Sequence, residues 1–387
     1  MKILFVIDSF REGGISSSLK NLLNNLDLEE NEIFLFSFKE LSETEKIKCV
    51  NVLESNYILN MAASTSQELK EDRLQYYFRK FLALGCRIFN SDRIYDLLFH
   101  SFNLNEKFDV AISFSNNVGD HSMYFGCNKF VLEKVNARKK IAWLHVNYES
   151  MKLNTKINNE EYSKFDEIIA VSEKSKQIFL KFNECLEYKT HVIYNVLNEK
   201  DLIDKALIPI NVFFDKNCLN LVTVSRLDEN KDPKKIIDVS IKLKEDGLKF
   251  KWRVLGSGPL LKEMKKLTIQ SNLQDYVFWL GYIENPYPYI KNSDVYVSTS
   301  KSEGYGLSIA ESLILKIPVV AGYYPSLYEV MNEKCGWIID NNSDAFYDII
   351  SRLIRNRYEV EDKVITIYNL HPVDTELNKI EEILNAE

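Results

Sequence analysis

The stretch 297–322 contains two glutamates whose spacing suits the binding of a phosphorylated, hydroxyl-rich ligand. Glu303 opens a Glu-Gly-Tyr-Gly turn that ends at Gly306, and Glu311 follows in a segment of helical spacing that starts at Leu307. Glycines let the backbone approach a ligand closely, and free N–H groups at the start of a helix attract an anion. The stretch therefore predicts a phosphate-binding turn with a carboxylate on either side for hydroxyl groups.

A simpler interpretation of the two glutamates stays open at this point. Glu303 also fits as a favourable charge near a helix N-terminus, and Glu311 also fits as a solvated helix residue. The choice between these interpretations depends on the other motifs of the chain.

Two cations follow a predicted strand at the start of the second half. Residues 219–225 have the apolar character of a strand, and Arg226 and Lys231 lie in the polar loop before a helix that begins near Pro233. Cations at the carboxyl end of a parallel strand can neutralise a diphosphate as it leaves, a role that a metal ion would otherwise fill. A solvated run of charges is the alternative.

The order of the predicted elements supplies the frame for these residues. Apolar strands alternate with segments of helical spacing in both halves, and a continuous apolar strand such as 2–8 is typical of a parallel sheet that is buried on both faces. With 387 residues, the chain is too long for one ordinary core. The fold class is therefore predicted as α/β, with two parallel-sheet domains facing a cleft.

The same patterns predict the bounds of the elements and domains. The predicted strands are 2–8, 32–38, 109–114, 140–144, 167–171 and 191–194 in the first half, and 219–225, 252–255, 277–280, 294–298 and 317–321 in the second. The predicted domains are 1–200 and 219–365, joined by a linker at 201–218 that lacks periodicity and followed by a C-terminal helical segment at 366–387.

Candidate residues of the first half also follow predicted strands. Gly13 and Gly14 form a turn before a helix, which predicts a second phosphate-type cradle, although an ordinary tight turn is the alternative. His145 comes directly after strand 140–144, at the sheet edge where such folds place ligands. Asp120 and His121 lie in the loop after strand 109–114, and position alone assigns them to an acceptor hydroxyl.

The motif E-GYGLSIA-E from Glu303 to Glu311, with the Pro-Val-Val strand after it, resembles the E-x7-E signature of family 4 glycosyltransferases. This family, also called glycosyl transferases group 1, consists of retaining enzymes of the GT-B fold. Arg226 and Lys231 resemble the Arg…Lys pair of the family in order and context. The resemblance covers nearly the whole chain and is strongest from 219 to 329.

The resemblance implies a fold, an activity and substrates. The fold is GT-B, with a Rossmann-like acceptor-side domain, a Rossmann-like nucleotide-sugar domain and a last helix that packs back on the first domain. The activity is retaining transfer of a hexosyl or N-acetylhexosaminyl group from a nucleotide diphosphate donor, with UDP favoured. The acceptor is a hydroxyl of a bacterial surface polysaccharide or a lipid-linked glycan. The nucleotide sugar is a substrate, so no cofactor is expected.

The resemblance also implies the role of each matching residue. Arg226 and Lys231 bind the diphosphate, Glu303 binds hydroxyls of the donor sugar, Glu311 holds the ribose hydroxyls, and His145 orients the sugar. The acceptor hydroxyl attacks on the face of the leaving group, with Glu303 as a covalent nucleophile as the less favoured alternative. The catalytic set is His145, Glu303, Arg226 and Lys231; the donor-binding set is Gly13, Gly14, Arg226, Lys231, Gly281, Tyr282, Glu303, Gly304, Tyr305, Gly306, Leu307 and Glu311.

Two segments depart from common patterns. The GYYPS segment 322–326 carries Tyr323 and Tyr324 where many relatives have a glycine-rich loop, although Glu329 keeps the glutamate that follows. Contacts to the donor sugar are therefore open there. The Gly-Ser-Gly-Pro turn 256–259 lacks the third glycine of a dinucleotide fingerprint, and the next strand carries no acid for a ribose. The turn therefore argues against a dehydrogenase.

Composition limits the partners. A net charge of −7 argues against a general nucleic-acid binder. The six cysteines are scattered without a metal-ligand spacing, which predicts free thiols in a reducing cytoplasm. No Asp-x-Asp motif occurs, so a common way of holding a metal ion on a nucleotide diphosphate is missing and a metal-independent mechanism is favoured.

A helical region between 60 and 105 mixes aromatic and basic side chains. Such a mixture can dock on an anionic membrane face, which would place the protein at the inner face of the membrane. The alternative is the core side of an amphipathic helix with snorkelling charges.

Other function classes stay open. A catalytically silent GT-B subunit would stabilise a partner transferase, and a sugar-nucleotide epimerase would convert the donor without an acceptor. A glycan phosphorylase would need inorganic phosphate and a pyridoxal lysine, for which the sequence shows no motif.

Overall fold

The computed structural model divides the chain into two compact units, Met1–Val196 with Asp374–Glu387, and Leu197–Val373. Each unit is built on one parallel sheet. The structure describes residues 1–10, 13–26, 31–41, 50–65, 68–100, 102, 104–117, 119, 121–123, 126–361, 363 and 371–386.

The first unit contains a seven-stranded sheet in the order β3-β2-β1-β4-β5-β6-β7. Its strands are β1 Lys2–Ile7, β2 Glu32–Ser37, β3 Asn51–Leu53, β4 Lys107–Ser113, β5 Asn136–Leu144, β6 Glu167–Ala170 and β7 Thr190–Val192. All the pairings are parallel. Residues 3–7 of β1 are fully buried, because helices cover both faces of a parallel sheet.

Helices of the first unit connect successive strands. They are α1 Gly14–Leu23, α2 Tyr57–Ala63, α3 Arg73–Phe89, α4 Ser91–Phe99, α5 Cys127–Lys134, α6 Lys156–Ser163 and α7 Glu173–Leu180, with a 3₁₀ turn at Glu184–Lys189. The last helix of the chain, Val373–Asn385, called α15 below, also belongs to this unit except for its first residue.

Charged side chains attach the last helix to the first unit. The Lys139 ammonium donates to the carbonyl oxygens of Ile383 (2.6 Å) and Ala386 (2.9 Å), and thereby satisfies acceptors that the helix end leaves free. The Glu376 carboxylate, almost fully buried, accepts from the backbone N–H of Tyr194 at 2.8 Å. These bonds fix both ends of the helix.

The second unit contains a six-stranded parallel sheet in the order β10-β9-β8-β11-β12-β13. Its strands are β8 Leu219–Val224, β9 Phe250–Leu255, β10 Val277–Gly281, β11 Val295–Ser298, β12 Val319–Gly322 and β13 Gly336–Ile339. Its helices are α8 Glu199–Ala206, α9 Lys234–Glu245, α10 Leu261–Gln270, α11 Tyr287–Lys291, α12 Leu307–Ile314, α13 Ser343–Arg355 and α14 Tyr358–Glu361, with a 3₁₀ turn at Leu327–Glu329.

A hydrogen-bonded chain ties three strands of this sheet together beneath its carboxyl edge. The fully buried Trp252 of β9 donates its indole N–H to the Thr223 hydroxyl of β8 (3.0 Å), and this hydroxyl donates to the Val297 carbonyl of β11 (2.7 Å). The buried indole is thus satisfied, and the loops that leave β8 and β11 start from a fixed base.

The α/β prediction is confirmed, and several short elements were not predicted. Strands β3 and β13 each form one edge of a sheet and are only partly buried, so neither is a continuous buried run. Helix α8 occupies part of the predicted linker 201–218 and lies in the second unit, because Leu202 and Ala206 bury one side of it. No helix among the described residues is both long and apolar enough to cross a membrane.

In each sheet, strand order identifies one place along the carboxyl ends of the strands where a ligand is expected to bind. Chain order reverses beside β1, which pairs with β2 and β4, and beside β8, which pairs with β9 and β11. Parallel sheets bind ligands outside the carboxyl ends of the strands at such a reversal. The loops after β1, β4, β8 and β11 are therefore the places to examine.

We predict that Gly336→Ala weakens the second unit strongly. A Cβ at Gly336 would lie 1.9 Å from the Val319 carbonyl oxygen of the neighbouring strand β12, and backbone cannot yield as a side chain can. The expected loss in free energy of unfolding is about 3 kcal/mol, measured by urea unfolding with tryptophan fluorescence. Gly247→Ala is the control: its Cβ would meet open space, and the positive φ of 67° alone should cost about 1 kcal/mol. Equal losses in both variants would contradict the strand contact.

Candidate functional site

The loops after β8 and β11 bring two of the predicted residues together. The Lys231 ammonium and the Glu303 carboxylate form an ion pair, with 21% and 16% of their side chains exposed. They are 72 residues apart in sequence. A charged pair thus lies at the reversal of strand order in the second sheet, accessible to solvent but mostly enclosed.

Hydrogen bonds between the two loops hold this pair in place. The Asp228 carboxylate accepts from the backbone N–H groups of Asn230 and Lys231, both at 3.1 Å. The Asn230 amide donates to the Ser302 carbonyl (2.8 Å), and the Thr299 hydroxyl donates to the Lys231 carbonyl (2.7 Å). The Asp228 bonds order the loop after β8, and the Asn230 and Thr299 bonds cross to the loop after β11, so the charges of Lys231 and Glu303 are positioned by backbone as well as by each other.

A buried lysine below the pair connects a third loop. Lys235 is 8% exposed, and its ammonium contacts the Asp232 carboxylate (3.2 Å) and the Asn341 side-chain oxygen. Asn341 follows β13 and also donates to the Ser300 carbonyl at 2.8 Å. Burial lowers the pKa of Lys235, which Asp232 opposes. The sequence analysis did not identify Lys235 or Asn341, whose contact spans 106 residues and leaves no local signal.

Arg226 differs from Lys231 in exposure. Its side chain is 57% exposed, and its guanidinium forms an ion pair with Asp228 at 3.3 Å. This carboxylate also orders the backbone at Lys231. Arg226 therefore presents a positive charge to solvent from the same loop that positions Lys231.

The Gly-Ser-Gly-Pro turn after β9 supports the Arg226 loop. A Cβ at Gly256 would lie 1.9 Å from the Ser225 carbonyl oxygen, and one at Gly258 would lie 2.3 Å from that of Leu227. The backbone N–H of Leu227 donates to the Ser257 carbonyl at 2.8 Å. Both glycines thus allow close packing of two backbones, which accounts for the motif without a dinucleotide.

The turn 303–306 leads into α12 with a left-handed residue. Gly306 has φ 103° and, as the N-cap of α12, supplies no side-chain hydrogen bond to the N–H groups of the helix that begins at Leu307. A Cβ at Gly306 would lie 2.7 Å from the Tyr324 hydroxyl. That hydroxyl is buried and has no hydrogen-bond partner among the described residues, and burial raises the pKa of Tyr324. A tyrosine in place of a small residue therefore fills the space beneath the turn.

Glu311 is a buried carboxyl rather than a solvated one. It is 8% exposed on α12, and it accepts a hydrogen bond from the Tyr287 hydroxyl at 3.2 Å. Burial raises the pKa of Glu311 to about 7, although the Tyr287 bond opposes the shift. The interpretation of Glu311 as a solvated helix residue was wrong. Near neutral pH its carboxyl can both donate and accept.

The remaining predicted residues of the second unit are Gly281 and Tyr282 at the end of β10, and Gly304 and Tyr305 in the turn before α12. Gly281 ends β10 with φ 76°, and a Cβ there would meet no atom within 4 Å. Its carbonyl accepts from the Gly256 N–H at 2.7 Å, and the Tyr282 side chain is half exposed. Gly304 and Tyr305 belong to the turn, in which Tyr305 is buried.

His145 lies in the first unit, directly after β5. Its ring packs on Phe114 (centroids 4.4 Å apart) and lies parallel to the Trp143 ring at 6.0 Å. Burial lowers the pKa of His145 to about 3, against an opposing bond to the Phe114 backbone, so the imidazole is neutral at ordinary pH. Its Nε2 atom is buried and lacks a partner among the described residues. A neutral ring suits a hydrogen bond better than proton donation from an imidazolium.

Other candidates of the first unit occupy less distinctive places. Gly13 and Gly14 form the start of α1, and a Cβ at Gly13 would meet nothing within 4 Å. The His121 Nδ1 atom contacts the Cys86 carbonyl of α3 at 3.0 Å, so one side of its ring faces that helix. Asp120 lies outside the described residues.

Two polar residues that the sequence analysis did not select meet at the strand reversal of the first sheet. Asp8 follows β1 and Ser115 follows β4, and the Ser115 hydroxyl donates to the Asp8 carboxylate at 2.8 Å. Both come just after an apolar strand, which is the same signal that identified His145.

Comparison with known proteins adds a family and a fold. Residues 204–368 match the sequence model of the family described as glycosyl transferases group 1. A relative in Escherichia coli, the O-antigen biosynthesis glycosyltransferase WclY, is 22% identical over 378 residues, which cover 95% of this chain and 93% of WclY.

Two solved structures share the fold over the full length of both chains. HepE from Anabaena, in complex with UDP and glucose, gives a TM-score of 0.70 at 18% identity, with 100% of both chains covered. A mutant of TarM from S. aureus, in complex with Fondaparinux, alpha-GlcNAc-glycerol and UDP, gives 0.67 at 15% identity, again with full coverage. The predicted GT-B fold is confirmed, and the predicted resemblance to group 1 glycosyltransferases is confirmed by the match of residues 204–368.

We predict that Glu311 makes the second unit less stable as pH rises. The pKa of Glu311 is about 7 in the folded chain, above its ordinary 4.5, so the folded state keeps a proton that the unfolded state releases. The contribution of Glu311 to the free energy of unfolding should therefore be fully present below pH 4.5 and fall by about 3 kcal/mol as pH rises to about 7. Glu311→Gln should remove this decline.

Tryptophan fluorescence can follow this change in the second unit. Three of the four tryptophans lie there, so urea unfolding of Trp143→Phe, with and without Glu311→Gln, reports on that unit. Glu161→Gln is the matched control, because burial also raises the pKa of Glu161 to about 7, but in the first unit. The same pH dependence with and without Glu311→Gln would show that this carboxyl titrates normally.

Proposed function

Because residues 204–368 belong to the glycosyl transferases group 1 family and the chain has the GT-B fold, we propose that this glycosyltransferase is a retaining enzyme that uses a nucleotide diphosphate sugar. One observation carries the proposal. The Lys231–Glu303 pair lies at the reversal of strand order in the second sheet. Glu303 is three residues before Gly306, the N-cap of α12. A phosphate-binding cation, a hydroxyl-binding carboxylate and a helix N-terminus thus follow one another in one site.

The diphosphate is the first part of the donor that this site suits. Lys231 and Arg226 would neutralise its charge, and the N–H groups at the start of α12 would donate to a phosphate oxygen. In the unliganded protein Glu303 already pairs with Lys231, so the buried charge is compensated before the donor arrives. The two cations would take the role of a metal ion, which supports a metal-independent reaction.

The sugar and nucleoside hydroxyls would meet the carboxyl groups. Glu303, displaced from Lys231 by the diphosphate, is free to accept from hydroxyls of the donor sugar. Glu311 would hold the ribose hydroxyls, since a carboxyl with a pKa of about 7 can accept from one hydroxyl and donate to another. The open backbone at Gly281 suits the nucleobase. Roles for His145, Gly13 and Gly14 stay predictions of the resemblance.

The proposed reaction breaks the bond between the sugar C1 atom and the diphosphate oxygen, and forms a bond from C1 to the acceptor oxygen on the same face. The acceptor proton passes to the leaving phosphate. Glu303 binds sugar hydroxyls in this scheme and forms no covalent bond.

The relatives support a class of donor and acceptor. HepE and TarM were solved with UDP, and WclY acts in O-antigen biosynthesis. We therefore propose a UDP-linked hexose or N-acetylhexosamine as donor, and a surface polysaccharide or lipid-linked glycan as acceptor. The five free cysteines among the described residues support a reducing cytoplasm as the compartment.

A donor screen tests this proposal. We expect one nucleotide family among UDP-, GDP-, ADP- and dTDP-sugars to raise the melting temperature, and slow release of its nucleotide diphosphate to continue in EDTA. Loss of this release in EDTA would contradict metal independence. Conversion of the donor to an epimer would indicate an epimerase, and no stabilisation by any donor would indicate a silent subunit.

We predict that the two members of the ion pair affect different steps. Lys231→Ala removes the phosphate cation, so it should weaken UDP binding and lower turnover about 100-fold or more. Glu303→Gln leaves Lys231 without its competing carboxylate, so UDP should bind as tightly or more tightly while sugar transfer falls by a similar factor. Calorimetry with UDP and a transfer assay separate the two effects.

Lys234→Ala is the matched control for this pair. It removes the same charge from an exposed position three residues away on the same segment, and should leave binding and turnover unchanged. Weaker UDP binding in Glu303→Gln would refute the competition between carboxylate and phosphate.

A further inference from the structure

Helix α3 of the first unit exposes large apolar side chains along its length. Leu74 is 80% exposed, Phe81 70%, Tyr77 65% and Ile88 61%. Monomeric proteins expose single apolar residues routinely, but contiguous apolar patches indicate an interaction site. The exposed apolar face of α3 is defined here as Leu74, Tyr77, Phe81, Leu84, Ile88 and Phe89.

Helical spacing places these residues on one side. Leu74, Tyr77, Phe81, Leu84 and Ile88 recur at intervals of three and four positions, which bring side chains onto one face of a helix, and Phe89 extends this face at its end. The opposite face already anchors the helix: Leu82 and Cys86 are buried, and the buried Arg79 side chain donates to the Ser64 carbonyl. The fold therefore does not need the exposed apolar face for its own packing.

Basic residues line one border of this face. Arg73, Lys80 and Arg87 follow one another at seven-residue intervals, and all three are exposed. Seven residues are close to two helical turns, so the three cations form a row beside the apolar residues. The Lys80 ammonium lies 4.3 Å from the centre of the Tyr76 ring, which keeps it close to the helix surface.

The charge of α3 is opposite to that of the whole chain. The helix contains four basic residues, Arg73, Arg79, Lys80 and Arg87, and no acidic residue, whereas the chain carries a net charge of −7. A local basic row within an acidic protein, bordering exposed aromatic and aliphatic side chains, is complementary to a surface that is both anionic and apolar.

We propose that the exposed apolar face of α3 docks on an anionic lipid membrane, with the helix lying in the plane of the interface. Aromatic and aliphatic side chains would enter the boundary between head groups and acyl chains, and the basic row would contact lipid phosphates. The 17-residue helix carries charge along its length, as a helix on a membrane surface does. The inference goes beyond the proposed transferase activity and does not depend on it.

A second copy of the chain is the competing occupant. Two α3 helices packed face to face would each bring a basic row and no acidic residue to the contact. Like charges at an interface oppose association, whereas lipid phosphates neutralise them. Charge therefore favours the membrane.

Vesicle co-sedimentation of the full chain, without donor or acceptor, tests the inference. Vesicles of phosphatidylcholine alone are compared with vesicles in which phosphatidylglycerol replaces part of it. Lys80→Glu with Arg87→Glu reverses two charges of the basic row, and Phe81→Ser with Leu84→Ser removes two apolar contacts. Matched controls on exposed positions of α10 in the second unit are Lys262→Glu with Lys266→Glu, and Ile269→Ser.

We expect the wild-type chain to bind the anionic vesicles and to release them as salt rises. Each α3 pair of substitutions should lower the bound fraction at least tenfold, and the α10 controls should not. Melting curves check that each variant folds, and donor hydrolysis in solution should be unchanged, so failure of docking and failure of the transferase proposal can be distinguished.

Three results would overturn the inference. One is absence of binding by the wild-type chain. Another is equal binding of the α3 variants and the wild type. The third is a wild-type chain that is a dimer by light scattering and does not bind vesicles, and that Phe81→Ser with Leu84→Ser converts to a monomer. This result would assign the face to a second copy of the chain.

Discussion

The ion pair between Lys231 and Glu303 combines two needs that usually conflict. A site for a diphosphate must hold cations that are partly removed from water, yet an unpaired cation at a mostly enclosed position is costly. Glu303 compensates the charge of Lys231, so the loops after β8 and β11 can lie together. The contact that stabilises the two loops is also the one that a donor diphosphate would have to exchange.

Polar contacts around this pair fix the positions of both side chains, and the described residues contain no cluster of metal ligands and no disulfide that would do so. Asp228 orders the backbone of the loop after β8. Thr299 and Ser302, in the loop after β11, form hydrogen bonds with Lys231 and Asn230 of that first loop. Beneath them, Lys235 joins a third loop through Asn341. Three loops from separate strands are therefore connected through polar contacts above one buried sheet, whose own strands are tied by Trp252 and Thr223.

The sequence predicted those parts of the molecule that depend on local pattern. Long buried strands such as β1 and β8 were found because continuous apolar runs are distinctive, and Arg226, Lys231 and Glu303 were found because they follow such strands. Strands β3 and β13 were not predicted, because each forms one edge of a sheet and is only partly buried, so neither shows a continuous buried run. The contacts of Lys235 with Asn341 and of Tyr287 with Glu311 join distant segments, and the burial of Glu311 results from that packing, so no local pattern announces them.

Because Arg226 and Lys231 differ in exposure, we expect them to act at different stages of nucleotide binding. Both cations are paired with a carboxylate, but the Lys231–Glu303 pair is mostly enclosed, so Lys231 contributes little to the first encounter with an anion. The Arg226 side chain is 57% exposed beside Asp228, so it is the cation that an approaching nucleotide meets first. The association rate of the nucleotide would then depend on Arg226 and on ionic strength. Its dissociation rate would depend on Lys231, so the two residues would control the two rates separately.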